Sequence, residues 1–173
     1  MAVREIRQLG NPILWKKSET VGDAISPETA SIIRDLDNTL AEFRRANDYG
    51  RGIAAPQIGA LKRIIFVRMP DDGFCGPLIN PQIMWRDERS IELWDACFSF
   101  PDLMVKVSRA AAIEVRYMDE KGQSRVIKAD GDLSELLQHE IDHLDGILAI
   151  DRAVSPTAFS TRTEWQQRHG DRS

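Results

Sequence analysis

The most regular run of apolar positions lies late in the chain. Leu133, Leu137, Ile141 and Leu144 recur at spacings of four, four and three residues, which lays an apolar stripe along one face of a helix. The pattern stops near Gly146, a residue type that commonly follows a helix end. An earlier helix opens at Ser26-Pro27, with serine as N-cap and proline at the first helical position. Ile33, Leu36, Leu40 and Phe43 mark its buried stripe, and it fades between Asn47 and Gly50. Residues 50–59, rich in glycine, read as a turn.

The period then changes. Ile64-Ile65-Phe66-Val67 is a continuous β-branched and aromatic run, the pattern of a buried strand. Leu78-Ile79-Asn80-Pro81 could begin another, and residues 102–108 and 112–117 read as a pair of strands. In the second of these, Ile113, Val115 and Tyr117 alternate with Glu114 and Arg116, giving one buried and one wet face. Glu120-Lys121-Gly122-Gln123 is a hairpin turn, after which residues 124–129 return as a strand. A short helix is expected around residues 163–168. The order helix, strands, helix predicts an α+β domain with the late helix packed on the sheet. Residues 1–155 would form that single domain and 156–173 a short C-terminal tail.

Composition narrows the classes. A chain of 173 residues is long enough to bury its own core. Acidic residues outnumber basic ones, 27 to 23, so neither DNA nor an anionic membrane is an expected partner. No apolar run approaches the roughly 20 residues of a membrane span, and the start, Met1-Ala2-Val3-Arg4-Glu5, lacks a signal-peptide layout. Two cysteines make no disulfide framework. A reducing, cytoplasmic setting is expected, and a monomer.

The chemistry sits on the late helix. His139-Glu140-Ile141-Asp142-His143 is an H-E-x-x-H pentad, which places two imidazoles one turn apart on one face with a carboxylate beside them. Two of the chain's three histidines are here; the third, His169, lies in a polar tail. Such a pair grips a divalent metal, and the glutamate can handle protons for a metal-bound water. Asp142 and Asp145 are available to orient an imidazole. A third ligand is needed. Cys97 and Cys75 are both candidates, because thiolate suits zinc or ferrous iron. Cys75 lies in a turn-like stretch, and residue chemistry puts Cys97 only slightly ahead.

Three segments in order resemble the peptide deformylase family. Gly50-Arg51-Gly52-Ile53-Ala54-Ala55-Pro56-Gln57 resembles its G-x-G-x-A-A-x-Q motif, Asp95-Ala96-Cys97-Phe98-Ser99 its E-G-C-L-S motif, and residues 138–143 its Q-H-E-x-D-H motif. The resemblance runs from about Val3 to Ser155. It implies a deformylase-like α+β fold, antiparallel or mixed sheets packed around a central metal-binding helix, and a metal-dependent hydrolase that removes the formyl group from N-terminal formyl-methionine of peptides or nascent chains, releasing formate. It implies one divalent ion per chain, ferrous iron in the cell with zinc or nickel as substitutes, held by Cys97, His139 and His143. Glu140 would shuttle the proton, while the Gln57 amide and the Phe98 backbone N–H would stabilise the oxyanion. Substrate would bind along Gly52, Ile53, Arg51, Ala96, Asp132, Glu135 and Leu136. In some members of the family the C-terminal helix contacts the ribosome, and here the tail, with Arg162, Arg168 and Arg172, would be the place for such a transient contact.

The departures from the family pattern raise a question of specificity. Asp95-Ala96 stands where the family has glutamate-glycine, and Phe98 where it has leucine. Asp95 would pair with Arg109. Arg51, Asp132 and Glu135 bring charge to positions that are often apolar in the family. Either they form an ion-pair network at the rim of the substrate pocket, or the pocket is polar and the enzyme is an amidase for another N-formyl or N-acyl substrate. A non-catalytic paralogue is the third alternative.

Overall fold

A computed structural model describes residues 2–71 and 73–170. Arg172, one of the three arginines proposed for a ribosome contact, lies outside them. Helix α1, Pro27–Asn47, begins as expected. The Ser26 hydroxyl accepts from the Thr29 N–H at 3.2 Å, and Pro27 opens the first turn. The helix stops at Asp48, which turns into the left-handed region at φ 61°.

The residues read as a glycine-rich turn contain a short strand, β1 (Gly52–Ala54), followed by one turn of 3-10 helix, Ala55–Ile58. Glycine and proline mask the strand in the sequence; pairing with β2 (Ile64–Arg68) makes it. Four more strands follow: β3 (Cys75–Arg86), β4 (Ser90–Ala96), β5 (Leu103–Ala110) and β6 (Ala112–Met118). Leu78 to Pro81 therefore lie inside β3 rather than at its start. β7 (Ser124–Asp130) follows the expected hairpin, closed by the Asp119 N–H to Gln123 carbonyl bond at 3.0 Å.

The expected pair at 102–108 and 112–117 divides. β6 joins an antiparallel sheet of order β1-β2-β3-β6-β7, while β5 joins β4 and β8 (Phe159–Thr161) in a second sheet. The chain changes sheets at Ala111, between two strands that are adjacent in sequence. β4 itself was hidden: Glu92 and Asp95 interrupt its apolar pattern, and much of it is exposed. The segment after Ser155 supplies β8, which pairs Leu103–Val105, and then α3 (Arg162–His169), which buries no residue.

Helix α2, Gly131–Leu144, lies between the two sheets. The expected stripe packs on the larger sheet, where Leu137 and Leu144 are fully buried beside Ile65, Val67 and Val115. The other face of that sheet carries Ile64, Phe66 and Ile79 against Leu36 and Leu40 of α1. Both faces are covered, so β2 is apolar throughout rather than alternating. The second sheet covers the polar side of α2, and every residue from Ser134 to Leu144 is buried. Burial there demands partners for polar groups. Gln138 meets the demand, bonding to both backbone groups of Ala110 at 3.0 Å. No helix of the described residues is long and apolar enough to cross a membrane.

Candidate metal and catalytic site

Helical spacing puts His139 and His143 on the side of α2 that faces the end of β4, with ring centroids 4.9 Å apart. Cys97 follows β4 directly and is 1% exposed. One ligand atom from each of Cys97, His139 and His143 lies within 4.8 Å of the others. Cys75 is exposed at the start of β3 and takes no part. The donor set suits a borderline or soft divalent ion. One buried atom fits such an occupant, because Glu140 Oε2 has no hydrogen-bond partner among the described residues, while His143 turns Nε2 toward Cys97 Sγ at 3.3 Å.

The acid that orients an imidazole is not one of the two expected. Asp142 turns to Arg109 and Arg152, and Asp145 pairs with Arg63. Asp95 instead lies 2.9 Å from His139 Nδ1 and also accepts from Arg109 at 3.0 Å. Its Arg109 partner was expected; its hold on a ligand was not. With Nδ1–H donating to Asp95, His139 presents Nε2 as its ligand atom. Burial opposes ionisation of Asp95, but His139 and Arg109 overcome it and hold the carboxyl down at about 2. His139 is correspondingly raised despite burial, and burial depresses His143.

Glu140 is enclosed on the same helix. Burial, with Asp95 and Glu135 adding repulsion, pushes its carboxyl up to about 7. A group poised near neutrality is matched to proton transfer at neutral pH. Gly52 makes room for it, since a Cβ there would lie 2.6 Å from Glu140 Oε1. The Gln57 side chain is held rigidly: its oxygen accepts the Ala54 N–H at 2.9 Å, and its amide nitrogen lies 3.3 Å from Ser99 Oγ and 3.6 Å from Cys97 Sγ. Donors fixed in this way beside a metal triad can stabilise a developing oxyanion. Phe98 stacks on Phe43 with centroids 3.8 Å apart, which anchors the backbone next to Cys97.

The expected substrate positions fall in two groups. β1 is an edge strand. The Arg68 N–H donates to the Arg51 carbonyl at 2.7 Å, so alternation turns the Gly52 backbone toward the open edge. Ile53 is fully buried in the core behind that edge, and Leu136 belongs to the core under α2. Ala96 ends β4 opposite Met104 and is half-buried. Arg51 pairs with Glu135, which is 9% exposed in its side chain, and lies 3.3 Å from the exposed Asp132. The three charges thus form an ion-pair network, and its inner member is buried one turn before His139.

Comparison with known proteins agrees with this geometry. Residues 3–158 match the family model described as polypeptide deformylase. A peptide deformylase of Pseudothermotoga lettingae is 40% identical over 161 residues, covering 92% of this chain and 88% of that protein. One from Brachyspira hyodysenteriae is 36% identical over 159 residues, covering 88% and 82%. The crystal structure of the Thermotoga maritima peptide deformylase superposes with a TM-score of 0.80 at 29% identity, covering 90% of this chain and all of that one. That of a Synechococcus elongatus peptide deformylase in complex with actinonin gives 0.80 at 30%, covering 96% and 86%. The chain belongs to the peptide deformylase family, metal-dependent hydrolases that remove the N-formyl group from nascent peptides.

Proposed function

We propose that Cys97, His139 and His143 hold one divalent ion, ferrous iron in the cell, and that Glu140, Gln57 and Phe98 carry the deformylation of N-formyl-methionyl peptides. The observation behind this reading is the convergence of a buried thiol and two buried imidazoles, with the buried Glu140 carboxyl on the same helix packed against Gly52 of β1. The ion, when bound, supplies Lewis acidity that makes water a nucleophile near neutral pH. Zinc and nickel suit the same donors.

The protein's own groups do the rest. The Gly52 backbone on the open edge of β1 aligns an extended peptide as an added strand. Gln57 Nε2 and the Phe98 N–H donate to the formyl oxygen as charge develops on it. Glu140 accepts the proton of the attacking water and returns it to the leaving amine. The Asp95 carboxylate keeps His139 in one tautomer and orientation throughout. Formate and a free N-terminal amine are released.

The Arg51–Glu135 pair favours a second reading of specificity. A buried carboxylate one turn before His139, paired with a partly exposed guanidinium, offers a polar wall to the substrate's first side chain, and that fits N-formyl or N-acyl substrates other than formyl-methionine. We take the chain to act as a cytoplasmic monomer, with Arg162 and Arg168 on exposed α3 as the contact to the ribosome. The deciding experiment is formate release from formyl-Met-Ala-Ser by anaerobically prepared, ferrous-loaded protein. Turnover that is lost in Glu140→Ala supports the formyl-methionyl reading. Silence on this peptide, with turnover of formyl peptides bearing polar first residues, moves the assignment to the second reading. No turnover of any formyl peptide, with metal bound, overturns both.

A further inference from the structure

Away from Cys97, α2 borders a second polar space. Arg86, Ser108, Arg109, Gln138, Asp142 and Arg152 line a cavity of ≈ 260 Å³. Three of these six side chains are guanidinium groups and one is a carboxylate. Asp142 is already engaged, with Oδ2 accepting from Arg109 at 2.6 Å and from Arg152 Nε at 3.3 Å, and Oδ1 from Arg152 Nη2 at 2.8 Å. Arg109, 4% exposed, also reaches Asp95 behind the cavity wall.

Arg86 is left with a neutral partner, the Gln138 side-chain oxygen at 3.1 Å. Arg63, Arg68, Arg89 and Arg125 each find a carboxylate; Arg86 forms no ion pair among the described residues. Even with Asp95 counted, the cavity is cationic in a chain whose net charge is −4. Arg86 feels the imbalance. The residue is exposed, yet partial desolvation of its guanidinium opposes its charge, Arg152 and Arg109 oppose it further, and Asp142 does not make up the difference.

Like charges gathered in a recess raise its free energy unless an anion joins them. A tetrahedral oxyanion offers an acceptor to each guanidinium fork from a different direction, and such charge-assisted bonds are the strong ones. Ser108 adds an exposed hydroxyl at the wall.

We propose that this cavity binds a tetrahedral oxyanion of the phosphate or sulfate class, held by Arg86, Arg152 and Ser108 with Arg109 behind them. The site is separate from the metal triad, although Asp142, Arg109 and Asp95 link its wall to His139. The experiment is a calorimetric titration of zinc-loaded protein with inorganic phosphate at an ionic strength fixed with chloride. It is run on wild type, Arg86→Gln and Arg152→Gln, with zinc content and circular dichroism measured for each. Saturable one-to-one binding is expected in wild type, with Kd raised about tenfold or more in each variant of unchanged fold and zinc content. A parallel titration with dimethyl phosphate separates the two sources of this chemistry. Binding of inorganic phosphate alone identifies a free dianion, and binding of both extends the site to a phosphodiester. Absence of saturable binding in wild type overturns the proposal. So does equal binding in wild type and Arg86→Gln, which would put the phosphate on the metal.

Discussion

Asp95 shows how much one side chain determines here. It receives His139 and Arg109 together, and Arg109 passes the charge on to Asp142. Removing Arg109 leaves two buried carboxylates without their shared cation, and such a loss costs about 3–5 kcal/mol. Arg109→Met keeps the apolar stem, so urea unfolding of this variant should show a drop of that size. A loss below about 1 kcal/mol would mean the network is not coupled. Gly52 sets a second constraint. Gly52→Ala pushes a methyl group onto Glu140 Oε1, and displacement of a catalytic group by even an ångström is costly. Formate release should fall by about tenfold or more, with metal content unchanged; full activity would detach Glu140 from the role proposed for it. The H-E-x-x-H spacing made the ligand pair legible in the sequence. Which acid orients it was not legible, because Asp95, Asp142 and Asp145 all stand near ligands in sequence and only the fold separates them.

At the scale of elements, legibility followed how far local pattern decided structure. α1 carries its own N-cap, both helices carry apolar stripes, and β2 opens on the unbroken apolar run Ile64-Ile65-Phe66-Val67. β1 and β4 owe their conformation to partners: β1 is Gly-Ile-Ala close to a proline, and β4 sets Glu92 and Asp95 among its apolar residues. These are also the two strands that flank the site. Arg51, just before β1, and Glu135 on α2 were read from sequence as charged, but only the pairing of those elements made them partners. Burial raises the Glu135 carboxyl, and Arg51 opposes the shift. Replacing the pair by apolar residues, Arg51→Leu with Glu135→Leu, should raise the ratio of kcat/KM for formyl-Met over formyl-Ser peptides by roughly tenfold. An unchanged ratio would place the pair outside the pocket for the first side chain.

The whole molecule meets at the metal site, and its stability should respond to metal and pH together. Cys97 comes from the end of the smaller sheet, Gln57 from beside the larger one, and the histidines from the helix between them. An ion held by Cys97, His139 and His143 would cross-link the smaller sheet to the helix, with Gln57 of the larger sheet's side packed beside it. At a thousandfold excess over Kd it would stabilise the fold by about 4 kcal/mol, which for a chain of this length is roughly 8–16 °C in Tm. Without metal, Glu140 becomes a liability. Its folded pKa, about 7, is raised above the ordinary 4.5 by burial. For a raised carboxyl the stabilising contribution is full below about pH 4.5 and is lost as pH climbs through 7. The loss amounts to roughly 3 kcal/mol for a shift of this size. Glu140→Gln mimics the protonated form at every pH. Metal-free Glu140→Gln and wild type should therefore be equally stable near pH 4, and the variant should be the more stable by roughly that amount at pH 8. Comparing the two sequences cancels the opposing contributions of Asp95, His139 and His143. Urea midpoints at the two pH values, taken in the presence of chelator, decide the matter. A difference that does not grow with pH would mean that Glu140 is solvated in the metal-free protein, and the enclosure by Gly52 and α2 would have to be abandoned.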